Sequence, residues 1–494
     1  MSDTAVETEH ADPRPRVIGI VPPCDPRNLG DRQFCRDLGL RYPYIAGAMA
    51  NGIASAELVE AMARGGMLGV FGAAGLKPST VAENLSRIAA SLGSTPWATN
   101  LIHTPLEQGL EDAIVDLYLE RDVRIVSASA YLDLTLPVVR YRVAGIHTDP
   151  EGRVITPNHV LGKVSRVEVA RKFLAPPPTQ MLAELVGRGD ITEAQAAMAS
   201  TIPVAQDLTV EADSGGHTDN RPAIAILPTM LALRDRMQTT HNYDRRLRIG
   251  AAGGIATPHS AAAAFAMGAA YVVTGSINQA CREAGTSDNV RRLLAEVEQA
   301  DVKMAPAADM FEMGIKLQVT NRQTMFPMRA QKLHDLYTAY ENLDDLPVAE
   351  RQRLERTILG ATIPDVWRDT EAFWRDRDPR QLERAAQDPH HKMALVFRWY
   401  LGQSSRWANS GVDERKLDYQ VWCGPAMGAF NEWVRGTWLE NWENRRVVTV
   451  GLNILQGAAV LTRVFALRSQ GIDVPAEAID IAPRESSELE AIVT

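Results

Sequence analysis

From Tyr42 to Asn278 the chain repeats one pattern eight times: a short continuous apolar run, then a helix-like stretch. The runs are 44–49, 67–72, 97–102, 123–128, 160–164, 208–212, 248–252 and 271–274. They are continuous rather than alternating, which is how strands covered on both faces of a parallel sheet read. Amphipathic stretches lie between them, at 55–64, 80–92, 107–120 and 222–239 among others. Eight strand–helix units predict an α/β fold, a (β/α)8 TIM barrel over residues 31–300. A doubly wound sheet would also explain the alternation but has no need of eight repeats.

The link between the fifth and sixth runs is long. Pro176-Pro177-Pro178 stands near its start, and short helices are predicted at 179–188 and 191–200, giving a helical insertion over 174–204 beside the barrel mouth. Beyond about 285 the strand pattern stops. Helical periods at 289–300, 328–342, 348–358 and 394–402, punctuated by Pro347, Pro364 and Pro379, predict an additional, mostly helical substrate or lid domain over 301–440. Met304, Met310 and Met313, beside Pro306 and Phe311, read as a packing stripe or the apolar wall of an acyl pocket. The stretch 447–469 reads as a long apolar helix packing on the barrel, within a C-terminal segment 441–494. Residues 1–30 form an N-terminal extension whose first fifteen residues have no apolar signal core.

Composition narrows the class. Of 494 residues, 45% are hydrophobic and 23% charged, as in globular domains that bury a core without staples. A net charge of −9 argues against nonspecific nucleic-acid binding. Cys24, Cys35, Cys281 and Cys423 offer neither CxxC pairs nor a disulfide framework, so free thiols in a reducing compartment are expected. The longest apolar stretches, 251–273 and 447–462, are broken by small or polar residues and do not read as membrane spans. The expected location is the cytoplasm.

In a barrel, chemistry gathers where the strands end, and the last two βα loops commonly hold a phosphate. Here the seventh strand ends in Gly253-Gly254-Ile255 and the eighth in Thr274-Gly275-Ser276. Glycine lets backbone N–H groups approach phosphate oxygens, and Ser276 adds a hydroxyl. The sixth ends in Asp213-Ser214-Gly215-Gly216-His217. His217, placed in the mouth by the Gly215-Gly216 turn, can exchange a proton near neutrality; Asp213 and Asp219 are there to orient its ring or cap local amides. Asn100, ending the third strand, can bond a heterocycle edge or serve as a structural amide. Lys163 inside the fifth strand either faces a cofactor or anionic intermediate, or pairs with a carboxylate such as Glu211. His103 and Ser129 are lesser candidates.

At these residues a resemblance appears. Ile45-Ala46-Gly47-Ala48-Met49-Ala50-Asn51-Gly52-Ile53-Ala54-Ser55, the run from Glu211 to Pro222, Gly253-Gly254-Ile255-Ala256, the run from Val302 to Met310, and Trp422-Cys423-Gly424-Pro425-Ala426-Met427-Gly428-Ala429-Phe430-Asn431 resemble the PfaD family. Its members are trans-acting enoyl reductases of polyunsaturated fatty acid and polyketide synthases. The likeness covers about 17 to 470. More distantly, the barrel is similar to nitronate monooxygenases and FabK-type enoyl-ACP reductases. The resemblance implies FMN, NADPH or NADH as transient hydride donor, and an enoyl thioester on an acyl carrier protein, with a homodimer allowed. It implies that His217 faces the flavin, that Ala48, Met49 and Asn100 contact the isoalloxazine, and that Gly253, Gly254, Gly275 and Ser276 hold its phosphate. Lys163 takes a catalytic or cofactor role from position alone. Arg445-Arg446 and Arg166-Arg171-Lys172 are the candidate carrier-docking patches. The rival readings are a nitronate-oxidising flavoprotein, a noncatalytic barrel of a synthase complex, and a phosphosugar lyase or isomerase.

Overall fold

Each apolar run becomes a strand, and the eight close on themselves in the computed structural model, which describes residues 24–104, 107, 109–485 and 487–489. The strands are β1 (Tyr44–Ala46), β2 (Leu68–Phe71), β3 (Ala98–Ile102), β4 (Ile125–Ser129), β5 (His159–Val164), β6 (Asp207–Glu211), β7 (Arg248–Ala252) and β8 (Val272–Thr274). All pair in parallel, and the pairing of Tyr44 with Val272 closes β1 onto β8. That closure excludes the doubly wound sheet. Of the N-terminal extension, residues 1–23 lie outside the described residues.

The barrel interior holds Ile45, Leu68, Val70, Ala98, Ile125 and Leu161. The helix Arg32–Leu38, N-capped by Asp31, packs into this cluster, with Phe34 stacked on Tyr271 at 4.2 Å between ring centroids. Beside it, three strand beginnings meet in an ion network. Asp207 accepts from Arg248 Nη2 at 2.9 Å and shares a hydrogen with His159 Nε2 at 2.6 Å, while Arg248 Nη1 donates to Asp37 at 2.6 Å. A fully buried carboxylate persists only when paired this well. The network lies at the N-terminal end of the barrel, where it serves stability.

The insertion folds as helices Thr179–Arg188 and Glu193–Ala199, the second opened by a Thr192–Gln195 capping box. A helix over Val447–Arg468 packs on Pro258–Ala266 and Ala56–Arg64 of the barrel's outer ring. It is long and apolar enough to cross a membrane by length and composition, yet more than half of it is buried here. Gly457 permits that contact, since a Cβ there would sit 2.6 Å from Pro258.

Beyond the barrel the sequence reading needs three corrections. The strand pattern does not stop at 285: β9 (Val302–Pro306) and β10 (Lys316–Thr320) pair antiparallel, and β10 pairs onward with a two-residue strand, Gly216–His217. Met304 therefore lies in a strand and Met313 is exposed, so the methionines form no stripe. Five-residue strands resemble any apolar scrap when the ladder they complete runs to a turn about a hundred residues away. Third, Arg445 is no docking residue: it is fully buried, with Nε on the Leu439 carbonyl and Nη2 on that of Glu440. Burial pushes its guanidinium down to about 10.

The rest of 301–440 is mainly helical. Phe326–Ala339, Ile363–Arg377 and Pro389–Ser410 surround a second core of Phe311, Leu333, Phe397, Tyr400 and Leu401. The 22-residue helix Pro389–Ser410 is the roof of the site described next.

Candidate active site

A cavity of about 700 Å³ opens at the C-terminal ends of the strands. The main candidates from the sequence for catalysis and cofactor binding line it: Ala48, Met49, Asn100, Lys163, Gly215, Gly216, His217, Gly253, Gly254, Gly275 and Ser276, whereas His103 and Asp213 do not. Ser129 lines it as well.

The loop after β1 is fixed by its backbone. Gly47 N–H donates to the Thr274 carbonyl at 2.9 Å. The Met49 carbonyl presses so close to Gly72 that a Cβ there would lie 1.8 Å away, which only glycine tolerates. Asn100 is buried, its Oδ1 accepting from Ala74 N–H at 3.2 Å, while Nδ2 has no partner among the described residues. One half of the amide is thus structural and the other is available to a ligand.

Lys163 and Glu211 form the ion pair that position suggested, Nζ to Oε1 at 2.6 Å, and Ser214 Oγ donates to the same oxygen at 3.1 Å. Tyr131 Oη donates to Glu111 at 2.7 Å, and Glu111 also faces His103 Nδ1 at 3.0 Å. His103 is therefore turned to a carboxylate beside the mouth.

His217 takes its partner from outside the barrel. Its Nε2 lies 3.2 Å from Oδ1 of Asp309, in the loop between β9 and β10, and its backbone pairs with Leu317. Nδ1 has no hydrogen-bond partner among the described residues. Burial disfavours the imidazolium, but the hydrogen bond and charge of Asp309, helped by Glu211, outweigh it and hold the pKa above the ordinary value. Asp309 is held low in return, the imidazolium overcoming its own burial. Of the two roles open to Asp213 and Asp219, orienting the ring or capping nearby N–H groups, the contacts are of the second kind: Asp213 accepts from Asn220 at 2.9 Å, and Asp219 from Arg166 at 3.1 Å. The Asp219 pair also removes Arg166 from a free basic patch, as Asp133 does Lys172 at 2.6 Å. The segment Trp422-Cys423-Gly424 closes on the histidine turn: a Cβ on Gly215 would meet the Cys423 backbone at 2.9 Å, and one on Gly424 would meet Gly215 N at 2.7 Å.

A cradle for a phosphate-bearing cofactor is present. Cβ atoms added at Gly254, Gly275 or Gly216 would meet nothing within 4 Å, so these glycines leave open space that side chains would fill. The N–H groups of Gly254 and Gly275 make no hydrogen bond among the described residues. Ser276 Oγ accepts from Gly424 N–H at 3.1 Å and keeps its proton to donate. Unspent donors around an open space fit a phosphate group.

The sequence offered a helical substrate or lid domain over 301–440 but singled out none of the residues that form the roof. Arg398, Trp399, Gly402, Ser405 and Arg406 of Pro389–Ser410 line the cavity, as do Phe373, Trp374 and Arg377 of Ile363–Arg377. Ser405 accepts from Asn51 Nδ2 at 3.2 Å, tying roof to the loop after β1. The spacing 398, 402, 405 is one helical face, a signal masked because its partners lie across the cavity rather than in a core.

Fold and site together define a (β/α)8 barrel protein with a cavity at the strand C-termini, beneath an added helical roof. The chain belongs to the nitronate monooxygenase family, which residues 32–338 match; residues 340–419 match the inserted helical domain of acyl-carrier-protein S-malonyltransferase. It is 48% identical over 468 residues to a polyunsaturated fatty acid synthase component of Thraustochytrium sp., covering 93% of this chain and 31% of that protein. It is 44% identical over 435 residues to the polyketide biosynthesis protein PksE of Bacillus subtilis, covering 88% and 56%. The chain thus spans about a third and about half of these relatives' lengths. In structure it is similar to the enoyl reductase domain of MlnA from the macrolactin cluster of Bacillus amyloliquefaciens: TM-score 0.85, 40% identity, 90% of this chain and 99% of that one. These relatives bear out the resemblance to synthase enoyl reductases read from the sequence.

Proposed function

We propose that this chain is an FMN-dependent enoyl reductase that reduces the 2-enoyl thioester borne by an acyl carrier protein of a polyketide or polyunsaturated fatty acid synthase, with NADPH or NADH as donor. The observation that carries the reading is the meeting, in one cavity, of the open glycine cradle and the His217–Asp309 pair. The likeness to the MlnA enoyl reductase domain supports it.

When bound, FMN would supply the hydride chemistry, taking a hydride from the nicotinamide and passing it to the enoyl β-carbon. Gly253, Gly254, Gly275 and Ser276 would hold its phosphate, and Ala48, Met49 and Asn100 its ring system. His217, kept protonated by Asp309, gives a proton from Nδ1 to the α-carbon. Lys163, placed by Glu211, donates to the thioester oxygen as negative charge builds there. The roof excludes water and admits the carrier's arm.

The test is the visible spectrum of the purified protein, followed by anaerobic bleaching with NADPH and reoxidation by a crotonyl thioester. A colourless protein, or a flavin that neither NADPH nor NADH bleaches, would refute the reading. The family match favours one rival, nitronate oxidation. Bleaching of the oxidised flavin by a nitronate, with reoxidation by oxygen and not by the thioester, would select it.

A further inference from the structure

The cavity's cations are not evenly neutralised. Lys163 is paired with Glu211, Arg166 with Asp219, and Arg398 with Glu312 at 3.1 Å. Arg377 is held by both oxygens of Glu107, at 2.6 and 3.1 Å. Arg406 differs: it lines the cavity, reaches no carboxylate within 4 Å and makes no hydrogen bond among the described residues. The second carboxylate of the roof wall, Asp369, forms no ion pair with it either.

Arg406 is nonetheless placed. Its guanidinium lies 5.4 Å from the centre of the Phe373 ring, and that of Arg377 lies 5.7 Å from the same centre. One aromatic ring therefore holds two guanidiniums, of which Arg377 alone is paired with a carboxylate. Partial desolvation under the roof, and then the charge of Arg377, push Arg406 below the ordinary arginine value, although the residue as a whole is exposed. Two like charges gathered at one ring, one without a counterion, form a site that an anion completes. The Asn51–Ser405 bond fixes the adjacent turn of the roof relative to the barrel, so the position is set before any ligand arrives.

We propose that Arg406, with Arg377 beside it, binds a phosphate ester in the roof of the cavity, separate from the glycine cradle at the ends of β7 and β8. The inference rests on the reading that a phosphate-bearing substrate or donor enters here. Two sources carry that chemistry: the phosphate of a pantetheine arm and the phosphates of a nicotinamide dinucleotide. A guanidinium presents a planar fork matched to phosphate oxygens, and the apolar acyl chain has no use for it.

Calorimetric titration of the flavin-loaded full chain tests this without using turnover. The ligands are 4′-phosphopantetheine, pantetheine and 2′,5′-ADP, each against wild type, Arg406→Gln and Arg406→Lys. The Gln variant is expected to lose roughly ten- to a hundredfold affinity for one phosphorylated ligand, with Lys restoring part of it and pantetheine unchanged. Loss confined to phosphopantetheine assigns the site to the carrier arm; loss confined to 2′,5′-ADP assigns it to the donor. Equal affinities in wild type and Gln variant, or no binding of either phosphorylated ligand to wild type, overturn the proposal. Arg406 is exposed on its helix, and matching thermal melts would show the variants folded. A protein showing the affinity loss but no enoyl reduction would keep the phosphate site and lose the reductase reading.

Discussion

Nε2 of His217 and Oδ1 of Asp309 lie 3.2 Å apart across 92 residues of sequence, one at the end of a barrel strand and the other in the appended domain. The barrel supplies the titrating ring and the appended domain sets its protonation. Because Asp309 holds the imidazolium pKa above the ordinary value, the acid form is present below that pKa and lost as pH rises through it. Asp309→Asn removes the main favourable influence and leaves burial. Enoyl reduction should then fail at lower pH than in wild type, with flavin content unchanged, and pH profiles of kcat/KM for both proteins check this. His217→Ala should lose roughly 10²-fold or more in turnover at every pH.

Lys163→Met removes the donor to the thioester oxygen and leaves Glu211 unpaired. A loss of roughly 10²-fold in kcat is expected, by analogy with removing one oxyanion donor. Steady-state kinetics on a crotonyl thioester would show it. An unchanged kcat would reduce the Lys163–Glu211 pair to a structural bridge.

A Cβ at Gly275 meets nothing within 4 Å, although its φ of −129° and ψ of −83° lie outside the usual α and β regions. Gly275→Val therefore occupies the cradle, and the fold of the variant is checked separately from its flavin content. The purified variant should fold with a wild-type circular dichroism spectrum and lack the flavin absorption bands. A yellow Gly275→Val protein would place the phosphate elsewhere.

Gly402 sits within the roof helix over open space. Gly402→Leu should stabilise the helix by about 0.8 kcal/mol and fill the cavity from above. Thermal melts should hold or rise while KM for the enoyl thioester increases. That split separates occlusion from unfolding.

Asp207, far from the cavity, governs acid stability. His159 and Arg248 overcome its burial and lower its pKa from 3.8 to about 2. A group with a depressed folded pKa stabilises above its unfolded value, and this share, about 2 kcal/mol, is lost as pH falls from near 4 toward 2. Asp207→Asn should cost roughly 3 kcal/mol at neutral pH by leaving the buried Arg248 with Asp37 alone, and should flatten the acid loss. Urea unfolding at pH 7 and pH 3 measures both.

The barrel was legible because eight doubly covered strands leave eight apolar runs, and because glycines at strand ends have few other reasons to cluster. Lys163, Asn100 and His217 stood out as polar residues where a packed strand end should be apolar. Asp309 did not, since a carboxylate in a loop looks like any solvated charge until its partner is known. β9 and β10 were missed for a related reason: their hydrogen bonds go to each other and to two residues of the histidine turn, a pairing that no local pattern records. The arginines of the roof looked like the polar face of a surface helix. Periodicity shows which face is polar, and only the fold shows that this face meets a cavity instead of water.

The ladder joining β10 to Gly216–His217 makes the seam between the barrel and the appended region run through the turn proposed to hold the acid. Neither piece can be exchanged alone between related proteins without cutting hydrogen bonds that hold the acid in place. A chimera joined near residue 300 would be expected to bind flavin and fail at protonation. Recombination that preserves activity must carry the strand, the turn and Asp309 as one inherited unit.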